Sequence, residues 1–433
     1  MLTGRTNLRP LSAAVAGRVG ILAAGPVAAY LALFHGFAAV AAAALICFAL
    51  VAWTRPDMAL LMVLGLVPVI AAINPGGTVL KVVLGAVGVL LFRIVLSGFR
   101  LRPELVLVLL TALAVTVSCL MPAASTLPAQ RSWTSWTLLL VGLGLLTASI
   151  LAPPDPRRIA QVVAGSGAGA AGYLLVRGEY ASDRLIGLGL NPNYLGVVLA
   201  LSLVAAVGLA RFSRSRSWLV PAVVCAHALL LTRSRGALAT AAVGLACVLL
   251  ASRPLRHKVL IALAIAAAAV VLPGTLDSVE GHLMGDRTPS ELTVNTEVRK
   301  QAALLAVRVA LDHPLRGIGY AVFPEYARTS SALGIFINTH NDYLRLAAES
   351  GMVTLALLVA LLWFGLARRY SAERVVLQAL CLAYAVGLLF ANALTDLVIS
   401  TPFWISLGCL LAQGRRRKAD PQTLFRTTLR KAE

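Results

Sequence analysis

Charged residues are scarce in this chain, and acidic residues are the scarcest. Asp and Glu number 18 against 38 Lys and Arg, and charged residues make up 13% of the chain, whereas 59% of it is hydrophobic. The mean hydropathy is +0.85, and so few charges cannot cover the surface of an ordinary water-soluble globule. The composition therefore argues against a soluble domain and favours a protein that lies in a membrane.

Cysteine is absent from the polar intervals of the chain. All six cysteines lie inside apolar runs, and no CxxC pair occurs among them. This placement argues against a disulfide framework and against a cysteine-ligated metal site. The outward-facing intervals also lack an acidic cluster and an HExxH spacing. We therefore expect no metal and no other cofactor.

The excess of basic residues gives a formal charge of +20, which invites a nucleic-acid-binding interpretation. The basic residues, however, form short clusters between apolar runs, and no basic domain stands among them. We therefore expect no nucleic acid among the partners. The clusters are better interpreted as signals of membrane topology.

Long apolar runs are abundant, and at roughly 16 to 22 residues they match the thickness of a bilayer core. They predict an all-α, polytopic helical membrane protein. Because several runs are short and Pro26, Pro68 and Pro221 can kink or end helices, we expect twelve to fourteen transmembrane helices. The runs lie near 17–33, 36–53, 58–73, 78–97, 104–121, 136–152, 158–175, 191–210, 217–232, 236–252, 257–273, 345–367, 376–394 and 398–413.

Basic clusters fall in every second connection between these runs, for example at Arg157 and Arg158. By the positive-inside rule such connections face the cytoplasm, so both termini are predicted to be cytoplasmic and the long interval from 274 to 340 to face outward. The predicted units are N-terminal transmembrane helices over 1–273, a periplasmic loop over 274–340, C-terminal transmembrane helices over 341–413 and a basic cytoplasmic tail over 414–433.

The outward interval contains a helical pattern of its own. From about Leu292 to Asp312, apolar residues recur at helical spacing, with basic and amide side chains on the other faces. This predicts an amphipathic helix, ended by His313-Pro314, that lies on the membrane surface or against the spans. A turn at Gly317-Ile318-Gly319 and a shorter element around Phe323 to Ser331 are expected to follow it.

Outward-facing cations run against the topological bias and therefore mark candidate sites. Arg235 lies in a connection of only a few residues, Arg184 precedes the Asn191-Pro192-Asn193-Tyr194 start of a run, and Arg299 lies in the predicted loop helix. An interfacial arginine serves most often as a snorkelling anchor or a lipid contact, and this alternative stays open. Grouped together, guanidinium groups would suit the oxygens of a phosphate.

His340 begins the helix that re-enters the membrane, with Asn341 or Asp342 available to cap that helix. An imidazole with an ordinary pKa of about 6.5 can take a proton from a sugar hydroxyl, so His340 is a candidate general base. The alternative is an interfacial histidine hydrogen-bonded to a loop. Glu349 falls on the opposite helix face, and we expect it to have a structural role near a helix break at Ser350-Gly351.

Two further ionisable residues lie at the outer ends of spans. Asp396 could orient the base or pair with an arginine, and Lys81 could contact a phosphate. An interfacial contact is the alternative for both residues.

Several segments resemble the signature of the O-antigen ligase and polymerase superfamily, over about residues 180 to 400. The aromatic residue often seen within the loop helix of that family is absent, since position 303 is alanine. The segments that carry the resemblance are Asn191-Pro192-Asn193, Ser234-Arg235-Gly236-Ala237, Asp312-His313-Pro314-Leu315, Gly317-Ile318-Gly319, Asn338 to Leu344 and Glu349-Ser350-Gly351.

The resemblance implies a GT-C-like membrane glycosyltransferase of the bacterial inner membrane with a periplasmic active site. Such O-antigen ligases transfer a polysaccharide from undecaprenyl pyrophosphate to a sugar of the lipid A core, with no metal. His340 would then be the base that deprotonates the acceptor hydroxyl. Arg235 and Arg299 would bind the pyrophosphate, with Arg184, Lys81 and Asp396 as weaker candidates. The partners it implies are the donor lipid, the lipid A-core acceptor and membrane lipids.

Alternative functions stay open. An O-antigen polymerase would join repeat units to one another, and a protein O-oligosaccharyltransferase would use a hydroxyl amino acid as its acceptor. A transporter of lipid-linked sugars belongs to a different class and would place ionisable residues near the middle of the membrane. The candidate charges here gather at the outer face instead.

Overall fold

The computed structural model describes residues 46–73, 78–99, 101–121, 129–213, 215–271, 289–367 and 370–412. The predicted run near 17–33, most of the run near 36–53 and the predicted tail over 414–433 lie outside the described residues. The division into four units therefore stays a prediction.

The described chain is almost entirely helical, as the apolar runs predict. Most helices coincide with those runs, except that α4 begins earlier and α13 ends earlier than expected. Residues 46–54 are also helical. The helices that follow are α1 (Pro56–Ile73), α2 (Thr78–Leu96), α3 (Pro103–Leu120), α4 (Ala129–Leu151), α5 (Pro156–Arg177), α6 (Pro192–Phe212), α7 (Leu219–Leu231), α8 (Arg235–Leu249), α9 (Leu255–Val271), α10 (Pro289–Asp312), α11 (Phe323–Thr329), α12 (Asp342–Leu366), α13 (Ala372–Gly387) and α14 (Leu397–Leu411).

Seven of the described helices are long and apolar enough to cross a membrane, and three shorter apolar helices accompany them. The protein is therefore a polytopic helical membrane protein. The predicted twelve to fourteen spans exceed these seven, because helices such as α8 and α14 are 15 residues long and because the first two runs lie largely outside the described residues.

The core of the described bundle lies around α6, which packs against α5, α7, α8 and α13. Its side chains are buried along almost the whole helix, from Leu195 to Leu209. The neighbouring helices approach closely because small residues face each other, as is common between helices in membranes. A Cβ added to Gly244 of α8, for example, would lie 2.4 Å from Cγ2 of Val204 in α6.

Helix α12 is broken at Gly351, whose φ of 85° lies in the left-handed region, so the predicted break is confirmed. A break frees backbone groups that a membrane cannot satisfy. The loop after α10 satisfies them: the Gly319 N–H donates to the Glu349 carbonyl at 3.0 Å, and the Met352 N–H donates to the Pro314 carbonyl at 2.7 Å. The loop is therefore fastened to the kink of a spanning helix.

The predicted amphipathic helix is confirmed as α10. Its buried face, which includes Ala302, Ala306 and Val309, packs against α12. The shorter predicted element is confirmed as α11. A small antiparallel hairpin between α5 and α6 was not predicted; it consists of β1 (Tyr180–Ala181) and β2 (Arg184–Leu185). These elements lie directly around the candidate residues.

Candidate functional site

The site centres on the turn that carries His340. Its φ of 51° places His340 in the left-handed region, which is rarely adopted by residues other than glycine. The Thr339 hydroxyl closes the turn by donating to the Asn341 carbonyl at 2.9 Å. Asn341 then caps α12 by accepting the N–H groups of Tyr343 and Leu344 at 3.0 and 3.1 Å. Asn341, rather than Asp342, is therefore the N-cap of α12. The half-buried imidazole of His340 lies just before the N-terminus of this helix.

Arg299 acts electrostatically on His340. Burial, and then the positive charge of Arg299, lower the pKa of His340 to about 4. Both effects disfavour the protonated imidazolium. At neutral pH the imidazole is therefore uncharged and able to accept a proton. The structure thus brings together these two residues, which are separated by 41 positions in the sequence.

The connection between α13 and α14 encloses the His340 turn. The Asp342 N–H donates to the Leu388 carbonyl at 2.8 Å, and the Leu394 N–H donates to Oδ2 of Asp342, also at 2.8 Å. Thr339 Oγ1 lies 3.4 Å from Oδ1 of Asn392. The backbone on both sides of His340 is therefore held by this connection.

Arg235 begins α8, whose N-terminus is capped by Ser234 through a 3.3 Å bond from the Ala237 N–H. The next residue, Gly236, packs so tightly on Phe390 that an added Cβ would lie 2.8 Å from the Phe390 Cβ. Phe390 belongs to the connection that encloses the His340 turn. The structure thus places the start of α8 against the same connection as the histidine.

Arg184 lies in β2 and has a clear structural task. Its side chain is buried, at 5% exposure. Nε donates to the Thr232 carbonyl at 2.8 Å, and Nη2 donates to Oδ1 of Asn193 at 2.7 Å. The guanidinium group ties the hairpin to the end of α7 and to the start of α6. Arg184 therefore links three segments of the protein, and a role in binding pyrophosphate stays a prediction.

Asp396 lies at the end of the connection between α13 and α14, and Lys81 lies on α2. Asp396 caps α14 by accepting the Val398 N–H at 3.0 Å, and burial raises its pKa to about 6. Within the described part of the chain, no histidine or arginine pairs with it. Lys81 is exposed on α2, whose main contacts are with α1, α4 and α14. The predicted roles of both residues remain predictions.

A buried group of three charges, which we call the α12 triad, was missed as a unit. Asp342, Arg345 and Glu349 are spaced three and four residues apart, so they share one face of α12. Nε of Arg345 donates to Oε2 of Glu349 at 2.9 Å, and its Nη1 lies 3.7 Å from Oδ1 of Asp342. The signal in the sequence that could have revealed this group is the helical spacing of three charged residues at the start of an apolar run.

Glu349 has the structural role that its position on the helix predicts. Its carboxylate accepts the Ala321 N–H at 2.9 Å and the Phe323 N–H at 3.0 Å. It thereby fixes the loop that leads into α11. No cluster of three or more His, Cys, Asp or Glu side chains that could hold a metal ion occurs in the ranges the structure describes.

The comparison with curated proteins gives no match. A family model described as O-antigen ligase matches residues 220–359. That range contains Arg235, Arg299 and His340, whereas Lys81, Arg184 and Asp396 lie outside it. The match over residues 220–359, about a third of the chain, supports membership of the O-antigen ligase and polymerase superfamily.

Proposed function

We propose that the protein is an O-antigen ligase that transfers a polysaccharide from undecaprenyl pyrophosphate to a sugar of the lipid A core. The family match supports a ligase- or polymerase-type activity on lipid-linked glycans. The observation that carries the finer assignment is the neutral imidazole of His340 beside the charge of Arg299. This pair combines a proton acceptor with a group that attracts phosphate.

The proposed reaction is a single displacement. The acceptor hydroxyl gives its proton to His340 as its oxygen attacks the anomeric carbon of the donor glycan. The bond from that carbon to the pyrophosphate oxygen breaks on the opposite face, so the configuration inverts. The departing pyrophosphate gathers negative charge, which the guanidinium groups of Arg299 and Arg235 stabilise. The reaction as written needs neither a metal nor a nucleotide sugar.

Donor binding would also prepare the base. Burial and the Arg299 charge lower the His340 pKa, which makes the imidazole a weak proton acceptor. A pyrophosphate bound to Arg299 offsets that charge. The His340 pKa then rises towards its ordinary value, where a general base is most effective near neutral pH. The base is therefore strongest when the donor is in place.

The proposed location is the periplasmic side of the bacterial inner membrane, with both termini in the cytoplasm. The alternation of basic clusters along the sequence supports this orientation. His340, Arg235 and Arg299 all fall on the outward side in that arrangement. A lipid-linked donor requires a site that opens sideways to the bilayer, and a location at helix ends fits that need.

The decisive experiment is transfer by purified protein from undecaprenyl-pyrophosphate glycan to rough lipopolysaccharide. We expect His340→Ala to lower the transfer rate by about 10²- to 10⁴-fold, the usual contribution of a general base. The matched control is His313→Ala, because His313 is an exposed histidine of the same outer loop. Full transfer by His340→Ala would remove the proposed base.

The same assay separates the alternatives. If the wild-type protein lengthens the lipid-linked glycan with no acceptor present, the polymerase assignment replaces the ligase assignment. If it glycosylates a serine-containing peptide and not the lipopolysaccharide, the protein is a protein O-oligosaccharyltransferase. Movement of intact donor across vesicles without transfer would identify a transporter.

A further inference from the structure

All three members of the α12 triad are buried. Asp342, Arg345 and Glu349 are 1%, 8% and 0% exposed. Arg345 lies between the two carboxylates and over the ring of Tyr320, with its Cζ 5.4 Å from the ring centroid. Burying ions costs several kcal/mol each, and replacing such a group by neutral residues often leaves stability unchanged. Stability alone is therefore a poor explanation for three buried charges.

The members of the triad fasten two separate segments to α12. Glu349 holds the loop before α11 through two backbone N–H groups, those of Ala321 and Phe323. Asp342 holds the connection between α13 and α14 through the Leu394 N–H. Arg345 reaches the same connection, where Nη1 lies 3.4 Å from the Thr395 hydroxyl. Three distant parts of the sequence therefore meet at one guanidinium group.

Two of the fastened positions have strained backbone. Ala321 has a φ of 60°, and its N–H is bound by Glu349. His340 has a φ of 51° and stands two residues before Asp342. A residue other than glycine in the left-handed region costs of order 1–3 kcal/mol and persists only when its surroundings hold it there. Glu349 supplies such surroundings at Ala321, and Asp342 supplies them next to the His340 turn.

We propose that Arg345 is a positioning residue for glycosyl transfer. By pairing with Asp342 and Glu349, it holds the connection between α13 and α14 and also the loop before α11, whose apolar residues pack with Ile337 and Leu344 on either side of the His340 turn. It thereby directs the imidazole at the acceptor hydroxyl. This inference rests on the proposed function, because it assigns Arg345 a task in presenting His340. Arg345 itself is a buried residue that acts through its neighbours.

The test must separate positioning from folding. Arg345→Met alone leaves two buried carboxylates unpaired, which is strongly destabilising. The informative variant is the triple change Asp342→Asn, Arg345→Met and Glu349→Gln, which removes all three charges, and Glu349→Gln keeps an acceptor for one of the two N–H groups of Ala321 and Phe323. We expect this variant to fold, with a melting temperature within a few degrees of wild type. We also expect its kcat to fall by at least 10-fold with the donor KM within about threefold.

Two further variants sharpen the result. Arg345→Lys keeps the charge and loses the planar fork, so its kcat should lie between those of wild type and the triple variant. Arg308→Met removes an exposed arginine of α10 and should keep full activity. A folded triple variant with wild-type kcat would overturn the proposal, since the triad would then have only a structural task.

A second readout is independent of transfer activity. Diethyl pyrocarbonate modifies histidine side chains, and mass spectrometry reports the rate at each one. We expect the His340 rate to change at least threefold in the triple variant, with the His313 rate unchanged. An unchanged His340 rate contradicts the positioning role. If wild type shows no ligase activity while the His340 rate changes, the proposed function fails and the structural link between Arg345 and His340 stands.

Discussion

At the scale of single residues, the proposed chemistry depends on an imidazole that stays neutral. The His340 pKa of about 4 results first from burial and then from the charge of Arg299. Between pH 4 and 6.5 the unfolded chain therefore binds more protons at this residue than the folded chain does. Its contribution to stability is fully present above pH 6.5 and is lost as the pH falls towards 4.

The same shift predicts the pH dependence of catalysis. The acid limb of the kcat/KM profile reports the pKa of the base in the free enzyme. The midpoint of that limb should therefore lie near pH 4 rather than near pH 6.5. In the Arg299→Gln variant the midpoint of the acid limb should move to higher pH. It should not reach pH 6.5, because burial lowers the His340 pKa more than the Arg299 charge does. Transfer rates measured from pH 3.5 to pH 8 test this. A limb that stays in place would show that the Arg299 charge does not act on His340.

Asp396 leads to the opposite dependence on pH. Its pKa is raised to about 6 by burial, so its contribution to stability is present below about pH 3.8 and is lost as the pH rises through 6. Asn also caps helices well and carries no charge. Asp396→Asn should therefore melt at the same or a higher temperature than wild type at pH 7.5. A lower melting temperature would indicate that the charged form of Asp396 has a partner that stabilises it.

The sequence predicted some residues of the site and missed others for a physical reason. The Asn341 cap and the structural role of Glu349 follow from local spacing along one helix, whereas the role of His340 as a base stays a prediction. The task of Arg345 does not, because Tyr320 and Thr395 reach it from loops that are distant in sequence. Local spacing places a charge on a helix face, and only the tertiary fold decides what that face meets.

At the scale of elements, the kink of α12 and the loop after α10 depend on each other. Gly317 and Gly351 each face the backbone of the other segment. A Cβ added to Gly351 would lie 2.4 Å from the Leu315 carbonyl oxygen, and one added to Gly317 would lie 2.3 Å from the Glu349 carbonyl carbon. Backbone atoms cannot move aside as a flexible side chain can. The two segments must therefore separate if either glycine gains a side chain.

This contact gives a prediction with a matched control. Gly351 and Gly334 both have left-handed φ, 85° and 65°, but the space around an added Cβ at Gly334 is open. Gly334→Ala should cost about 1 kcal/mol through backbone strain alone. Gly351→Ala should cost clearly more, because it adds a backbone clash, and should lower transfer activity as well. Melting temperatures in detergent compare the two variants, and equal values would refute the close approach.

Elements were predicted well where hydrophobic pattern decides them. The apolar runs became helices, and the period of α10 identified its buried face. The hairpin of β1 and β2 was missed because two-residue strands carry no alternation that a sequence pattern can reveal. It is held instead by tertiary contacts such as those of Arg184 with Thr232 and Asn193.

At the scale of the whole molecule, helix packing and membrane orientation come from different sources. Packing follows from which faces are buried, with α6 at the centre and α2 at the periphery. Orientation in the membrane follows from the basic residues in the connections between helices, and these residues do not depend on how the helices pack. The proposed periplasmic site depends on orientation, so an experiment on topology tests the function at this scale.

Site-directed labelling with a membrane-impermeant maleimide can determine that orientation. The six native cysteines are buried or half-buried, so the background should be low. Ser331 is exposed in the loop after α11, and Ser217 is exposed in the connection between α6 and α7. In intact spheroplasts Ser331→Cys should be labelled, and Ser217→Cys should be labelled only after the membrane is opened. The reverse pattern would place His340 in the cytoplasm, where a periplasmic ligase cannot work.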